Sequence, residues 1–164
     1  MIIGVIGDTH LKYDDTKLDN LLHQLEDVDH IIHVGDFNDR RIYERIRSVK
    51  PLSAVCGNND DSFLKSILKD SQITTLENMK IGITHGHMGK GKTTPERALS
   101  IFEHQKVDII VFGHSHQPMI QTRQGILMLN PGSFFRKRRE KYYSYIVLEL
   151  GARINAQLLL QEEG

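Results

Sequence analysis

The chain carries a single cysteine, Cys56, so it can form neither an internal disulfide nor a cysteine-rich zinc site. It has no tryptophan and only four prolines in 164 residues. No apolar run approaches the roughly 20 residues that a membrane span needs. Charge of one sign is also missing. Lys and Arg number 21, as do Asp and Glu, so no global field draws the chain to nucleic acid or to an anionic membrane. The N-terminus, Met1-Ile2-Ile3-Gly4-Val5-Ile6-Gly7-Asp8, lacks the basic start and long apolar stretch of a secretion signal and reads as a strand. A cytoplasmic location is the resulting expectation. The length suits one domain over residues 1–164. A chain of this size buries roughly 70% of its unfolded surface, enough for a core without staples. What the chain does have in number is histidine, nine in all, and their placement directs the functional reading.

Apolar runs alternate with segments of helical period, which points to an α/β domain. Residues 2–7 read as a buried strand, and Leu18, Leu21, Leu22, Leu25 and Val28 as a helix face after a polar start. Residues 31–35 predict a second strand, Ile42, Ile46 and Val49 a second helix, and residues 52–56 a short third strand. Phe63, Ile67 and Leu68 suggest a short helix, followed by a strand at residues 79–84. Thr94 is the expected N-cap of a helix carrying Ala98, Leu99 and Phe102, with Pro95 at its first position. Residues 109–113 return to buried strand. The rest reads as strands at 120–122, 126–129, 143–150 and 153–160, with hairpin turns at Gln124-Gly125 and Gly151-Ala152. Two packed sheets with helices outside are the expected architecture.

Polar residues with one chemistry follow five of these strands. They are Gly7-Asp8-Thr9-His10, Gly35-Asp36, Gly57-Asn58-Asn59-Asp60, Thr84-His85-Gly86-His87 and Gly113-His114-Ser115-His116. Sites in α/β sheets form outside the carboxyl ends of parallel strands. Neighbouring strands lie about 4.8 Å apart, so such ends can converge on one small volume. Asp, His and Asn donors without sulfur suit manganese, iron, zinc or nickel better than calcium or magnesium. Seven candidates exceed one tetrahedral ion and suit two, about 3.5–4 Å apart when a carboxylate bridges them. Asp36 is the candidate bridge. The glycines before Asp8, Asp36, Asn58 and His114 are expected to let the backbone turn sharply. A lone Asp after a strand is usually a helix cap, and a lone His a surface group, but five in order are hard to produce by capping. His23, His30 and His104 read as surface residues without partners, and His33 as a strand residue that packs or finds a local acceptor.

This ordered set resembles the calcineurin-like metallophosphoesterase superfamily, and the short chain looks most like its small YfcE-like phosphodiesterase members. The resemblance implies a four-layer α/β/β/α sandwich. It also implies that Asp8, His10 and His116 bind one metal, that Asn58, His85 and His114 bind the other, and that Asp36 bridges them. Two divalent ions per chain are implied, manganese first, with nickel, zinc or iron compatible. Many family members have a His after the ligand Asn, where it stabilises the transition state or protonates the leaving group. Here that residue is Asn59, which can donate a hydrogen bond but supplies no proton near neutral pH.

The expected activity is a metal-dependent phosphodiesterase that hydrolyses small phosphate esters by in-line attack of a metal-activated hydroxide. A catalytically weak or inactive binding scaffold on the same fold is the alternative, kept open by Asn59. Catalytic candidates besides Asn59 are His87, as a contact or proton donor to a substrate oxygen, and Asp60, as a support for a ligand or a helix cap. Cys56 lies in an apolar strand and reads as core. Residues 86–93, Gly-His-Met-Gly-Lys-Gly-Lys-Thr, also match the P-loop pattern G-x-x-x-x-G-K-T. That reading ranks second, because the next strand does not end in the Asp a P-loop site requires. Asn130-Pro131-Gly132-Ser133 reads as a turn, which the resemblance puts beside the metal loops. Arg136-Lys137-Arg138-Arg139 reads as a solvated hairpin tip rather than a nucleic-acid surface. Phe134, Phe135, Tyr142 and Tyr143 flank it as packing or subunit-contact residues, and exposed aromatics there would permit a homodimer or higher homo-oligomer.

Overall fold

A computed structural model describes residues 1–12 and 14–162. Four helices and ten strands are present among them: β1 (Ile2–Ile6), α1 (Asp15–Gln24), β2 (His30–His33), α2 (Arg40–Val49), β3 (Leu52–Ala54), α3 (Ser62–Ile67), β4 (Ser71–Leu76), β5 (Met79–Thr84), α4 (Thr94–Ile101), β6 (Ile109–Val111), β7 (Met119–Arg123), β8 (Ile126–Asn130), β9 (Tyr143–Leu150) and β10 (Ile154–Gln161). They form two five-stranded mixed sheets, ordered β10-β9-β1-β2-β3 and β4-β5-β6-β8-β7. The predicted α/β/β/α sandwich is therefore the observed one.

Strand alternation builds the layers. Ile3, Val5, Ile32, Val34 and Val55 of the first sheet meet Ile81, Ile83, Ile109, Val111 and Leu129 of the second in one buried cluster between the sheets. The opposite faces carry Ile6 and Ile31 towards Leu18, Leu21, Ile42 and Ile46 of α1 and α2. On the second sheet, Ile110, Phe112 and Met128 pack against Ala98 and Phe102 at α4. Strands covered on both faces explain why the sequence shows continuous apolar runs rather than alternation.

The parallel pairs β1–β2–β3 and β5–β6–β8 put the carboxyl ends of six strands at one rim. The five ligand-type loops leave from that rim, but not from one open sheet. Three belong to the first sheet and two to the second, so the site lies between sheets.

Several local expectations are corrected. Strand β4 was not foreseen, because Ser71-Gln72-Ile73-Thr74-Thr75-Leu76 is a half-exposed edge with few apolar residues. It pairs with β5 through Glu77 and Asn78, both at positive φ, as a two-residue mirror-type turn requires. Thr93, not Thr94, caps α4: its hydroxyl accepts from the N–H of Glu96, whose carboxylate reaches back to the N–H of Thr93. Such a cap is worth about 1 kcal/mol. Arg153 lies in the β9–β10 turn with Gly151 and Ala152, whereas Gln124-Gly125 forms the expected hairpin turn. His30 has a partner, Ser53 Oγ at 2.9 Å, because β2 and β3 lie side by side. His23 and His104 also have partners, Glu26 and Glu103. The aromatics around residues 134–143 are not an exposed patch. Phe134 is buried against Phe135 and Tyr145, and the ammoniums of Lys137 and Lys141 cover Tyr143 and Tyr142. Cys56 is buried, as expected, and burial together with the Asp70 carboxylate pushes its thiol up to about 12.

Candidate metal centre

The ligand loops are tied to one another before any ligand is considered. The N–H of Asp8 donates to the carbonyl of Gly35 and that of His10 to the carbonyl of Asp36, so the first loop lies on the second. The N–H of His114 donates to Asp8 Oδ2 at 2.8 Å, which joins the second sheet to the first. Asp8, His10, Asp36, His114 and His116 all have positive φ, between 45° and 67°. A non-glycine residue in that region is uncommon, and five at one site mark a backbone held in place by its surroundings.

The expected role of the glycines is therefore revised. Only Gly35 of the four has positive φ, and the candidate ligand residues Asp8, Asp36 and His114 themselves make the turns. The others serve close approach. A Cβ on Gly57 would stand 2.1 Å from Asp36 Oδ1, and one on Gly113 would stand 2.6 Å from Asp8 Oδ2.

Three imidazoles converge on two carboxylates. Asp8 Oδ1 lies 3.2 Å from His116 Nε2, 3.6 Å from His10 Nε2 and 4.0 Å from His85 Nε2. Asp36 Oδ2 lies 3.3 Å from His10 Nε2 and 3.4 Å from His85 Nε2. The Nε2 atoms of His10 and His116 are 3.2 Å apart. Two groups of donor atoms able to hold a cation result, Asp8–His10–His116 and Asp8–Asp36–His85.

The surroundings set which nitrogen is free. His85 Nδ1 donates to the carbonyl of Val34 at 2.8 Å, and His116 Nδ1 donates to the carbonyl of Arg136. A carbonyl only accepts, so both Nδ1 atoms carry the proton and both Nε2 lone pairs point inward. Burial opposes charge on Asp8, but the imidazoles of His10, His116 and His85 around it hold its carboxyl well below the usual range. Asp36 is held low in the same way, with His85 and Asn59 outweighing burial. Burial pushes His85 down, and the Asp36 and Asp8 carboxylates overcome it and raise it. The two carboxylates thus call for a cation. Asp8 Oδ1 and His85 Nε2 are buried without a hydrogen-bond partner among the described residues. The donor set, the buried orphans and the excess negative charge all fit divalent metal.

His114 is half-buried, with its ring centroid 5.2 Å from that of His85. Burial, then His85, drops it to about 4, so it is a neutral donor. Asn58 is exposed on the loop after β3, its carbonyl taken by Lys65, and its side chain makes no hydrogen bond among the described residues. His87 is half-buried beside His85, at 5.3 Å between centroids, and burial and His85 lower it. Asp60 is buried and does not cap α3; Asp61 does, accepting from Leu64. The Asp60 carboxylate accepts from the N–H groups of Asp36, Asn38 and Gly57. It fastens the second loop to the third.

Sequence reasoning did not assign His33 a part in this frame. Its Nδ1 accepts from the N–H of Gly35 at 3.1 Å, so its Nε2 carries a proton and faces Thr9 Oγ1 at 3.4 Å. Thr9 in turn donates to the carbonyl of Asp36. The signal available in the sequence was a histidine inside an apolar strand, two residues before Gly35. Asn130 and Ser133 support the site as well. Asn130 donates to the carbonyl of Gly113 and to Ser115 Oγ, and Ser133 Oγ donates to the carbonyl of Asp8 at 2.6 Å.

A family model for the calcineurin-like phosphoesterase superfamily domain matches residues 1–153. The chain belongs to that superfamily. A probable metallophosphoesterase of Methanocaldococcus jannaschii is 34% identical over 134 residues, covering 81% of this chain and 68% of that protein. Vacuolar protein sorting-associated protein 29 of Schizosaccharomyces pombe is 31% identical over 137 residues, covering 81% of this chain and 72% of its own. The solved structure of an archaeal phosphodiesterase superposes with a TM-score of 0.77 at 22% identity, over 98% of this chain and 100% of the other; that likeness shows the fold.

Membership of this superfamily does not rest on a P-loop, and the geometry of residues 86–93 does not favour one. The N–H groups of Lys92 and Thr93 donate to the Glu96 carboxylate, and that of Lys90 to Ser100 Oγ. Three of the amides a P-loop would turn to a phosphate are thus taken. No helix among the described residues is long and apolar enough to cross a membrane.

Proposed function

We propose that this superfamily member is a dinuclear metal-dependent phosphodiesterase acting on small phosphate esters, with residues 1–164 as one functional unit. One observation carries the reading: a single oxygen, Asp36 Oδ2, lies 3.3 Å from His10 and 3.4 Å from His85, one imidazole from each proposed set. Asp8, His10 and His116 would hold one ion, Asn58, His85 and His114 the other, and Asp36 both. Manganese suits this nitrogen and oxygen donor set, and nickel, zinc and iron are compatible. Bound there, divalent ions supply Lewis acidity and lower the pKa of a coordinated water.

The chain's own residues do the positioning. Nδ1–H bonds from His85 and His116 to backbone carbonyls aim both Nε2 atoms inward. Asp60 and Asn59 fix Asp36 from behind, through its backbone and its carboxylate. His87 is lowered by burial and by His85, so near neutral pH it is an uncharged imidazole that can donate a hydrogen bond to a substrate oxygen.

A binding scaffold is the second reading, favoured by one feature: Asn59 spends its side-chain N–H on Asp36 and has no acid to offer a leaving group. The deciding experiment is metal content together with hydrolysis of bis(p-nitrophenyl) phosphate in manganese, nickel and zinc. About two metals per chain and metal-dependent turnover are expected. Bound metal without turnover would favour the scaffold, and no bound metal would overturn the dinuclear reading.

A further inference from the structure

The basic run at residues 136–139 is bolted to the candidate metal loops. The N–H of Arg136 donates to Ser133 Oγ, which itself donates to the carbonyl of Asp8. The carbonyl of Arg136 accepts from His116 Nδ1. Lys137 is committed elsewhere: its ammonium donates to the carbonyl of Lys141 and lies 4.5 Å from the ring centroid of Tyr143. Arg138 and Arg139 are not committed. They face a cleft of about 300 Å³ whose other walls are Ser115, His116, Gln117 and Glu140. Neither guanidinium has an ion-pair partner among the described residues, and Glu140 pairs with neither. The cleft therefore sets two forked cations, in excess over one carboxylate, against a wall that includes the buried candidate metal ligand His116.

Planar guanidiniums bind phosphate oxygens in pairs, with geometry that a lysine cannot match. The volume stands at the lower bound for ligand pockets, about 300 Å³, which suits a compact anion rather than a whole nucleoside. In a chain of zero net charge no general field draws anions to this cleft, and the positive charge there is local to the pair. We propose that Arg138 and Arg139, across this cleft from His116, form an anion subsite that selects phosphate esters carrying a second phosphate near the scissile one. The proposal rests on the phosphodiesterase reading and adds the substrate class to it.

The test compares thymidine 5′-(p-nitrophenyl phosphate) with the same ester bearing a 3′-phosphate. Reacting group and leaving group are identical, so the ratio of their kcat/KM values cancels any loss common to both. Wild type is expected to favour the 3′-phosphorylated ester about tenfold or more, mainly through KM. Arg138→Gln/Arg139→Gln brings the ratio near one, whereas Glu140→Gln raises it. A ratio near one in wild type, or one unchanged in the double variant, overturns the subsite. If the metal-loaded protein hydrolyses no ester, the phosphodiesterase reading fails separately. The subsite is then judged by calorimetric binding of pyrophosphate relative to orthophosphate: a preference lost in the double variant supports it, and a preference absent in wild type or retained in the variant overturns it.

Discussion

Asn59 holds Asp36 at both carboxylate oxygens, its backbone N–H donating to Oδ1 at 2.8 Å and its side-chain amide to Oδ2 at 2.7 Å. Oδ2 is the same atom that lies between His10 and His85. The residue at the position where the resemblance implies a catalytic His in many family members is thus a clamp on the proposed bridging carboxylate. The consequence is a trade: a better-oriented ligand and no proton donor.

Asp36→Asn removes the charge that the two proposed metal sites would share. Metal content should fall from about two per chain, and metal-dependent turnover of bis(p-nitrophenyl) phosphate should drop by at least about 100-fold, the upper end of what outer partners alone cost. Elemental analysis beside the rate assay checks this, and retention of full metal content with normal turnover would remove Asp36 from the bridge.

Asn59 can be separated into its two roles. Asn59→Ala should weaken metal binding about tenfold, as loss of an outer partner does. Asn59→His should raise the rate on esters with poor, alkyl leaving groups by on the order of 100-fold through general acid catalysis, and much less on p-nitrophenyl esters, which need no proton. Rates plotted against leaving-group pKa read the difference. A uniform change across leaving groups would count against a missing acid.

Gly57→Ala places a methyl 2.1 Å from Asp36 Oδ1. Backbone surrounds this contact, so the loop must move, at a cost of about 1–3 kcal/mol. Urea unfolding should show that loss, and metal content should fall with it. Gly151→Ala is the control for general effects, since nothing lies within 4 Å of its added carbon and its φ is not positive.

His33 makes stability depend on pH. Burial, only partly opposed by the Asp8 and Asp36 charges, drops it from 6.5 to about 3. The folded-state value is the lower one, so below pH 6.5 the unfolded chain binds a proton that the folded chain refuses. The contribution is full above 6.5 and is lost as pH falls towards about 3, at roughly 1.4 kcal/mol per pH unit. Unfolding free energies between pH 7 and 4 should therefore decline less steeply for His33→Asn than for wild type, even though that variant starts less stable. Parallel declines would show that His33 titrates normally.

Much of the candidate site was legible because its residues follow directly on apolar strands. Asp8, Asp36, His85 and His114 each come one or two residues after a buried run, and parallel pairing brings strand ends to one rim whatever the loops do. The α/β/β/α layering was readable for a related reason: two-sided burial writes itself as unbroken Ile, Val and Leu. β4 was not readable, since a half-exposed edge strand needs little apolar surface. The distinction between Thr93 and Thr94 as helix cap was not either, because adjacent threonines offer the same hydroxyl.

Which donors exist, and that they share a rim, follows from residue order along the chain. The tertiary structure decided what each donor does. His10 and His116 are 106 residues apart, yet their Nε2 atoms lie 3.2 Å from each other. The free nitrogen of His85 is chosen by a carbonyl on the other sheet, at Val34. Asn59 became a clamp and Asp60 a brace because Gly57 lets their loop approach Asp36. Arg138 and Arg139 acquired a cleft because their segment is tied to His116. Local pattern encodes burial and strand ends, since these depend on neighbours along the chain; tautomer, charge state and partner depend on atoms that only folding brings within about 3 Å.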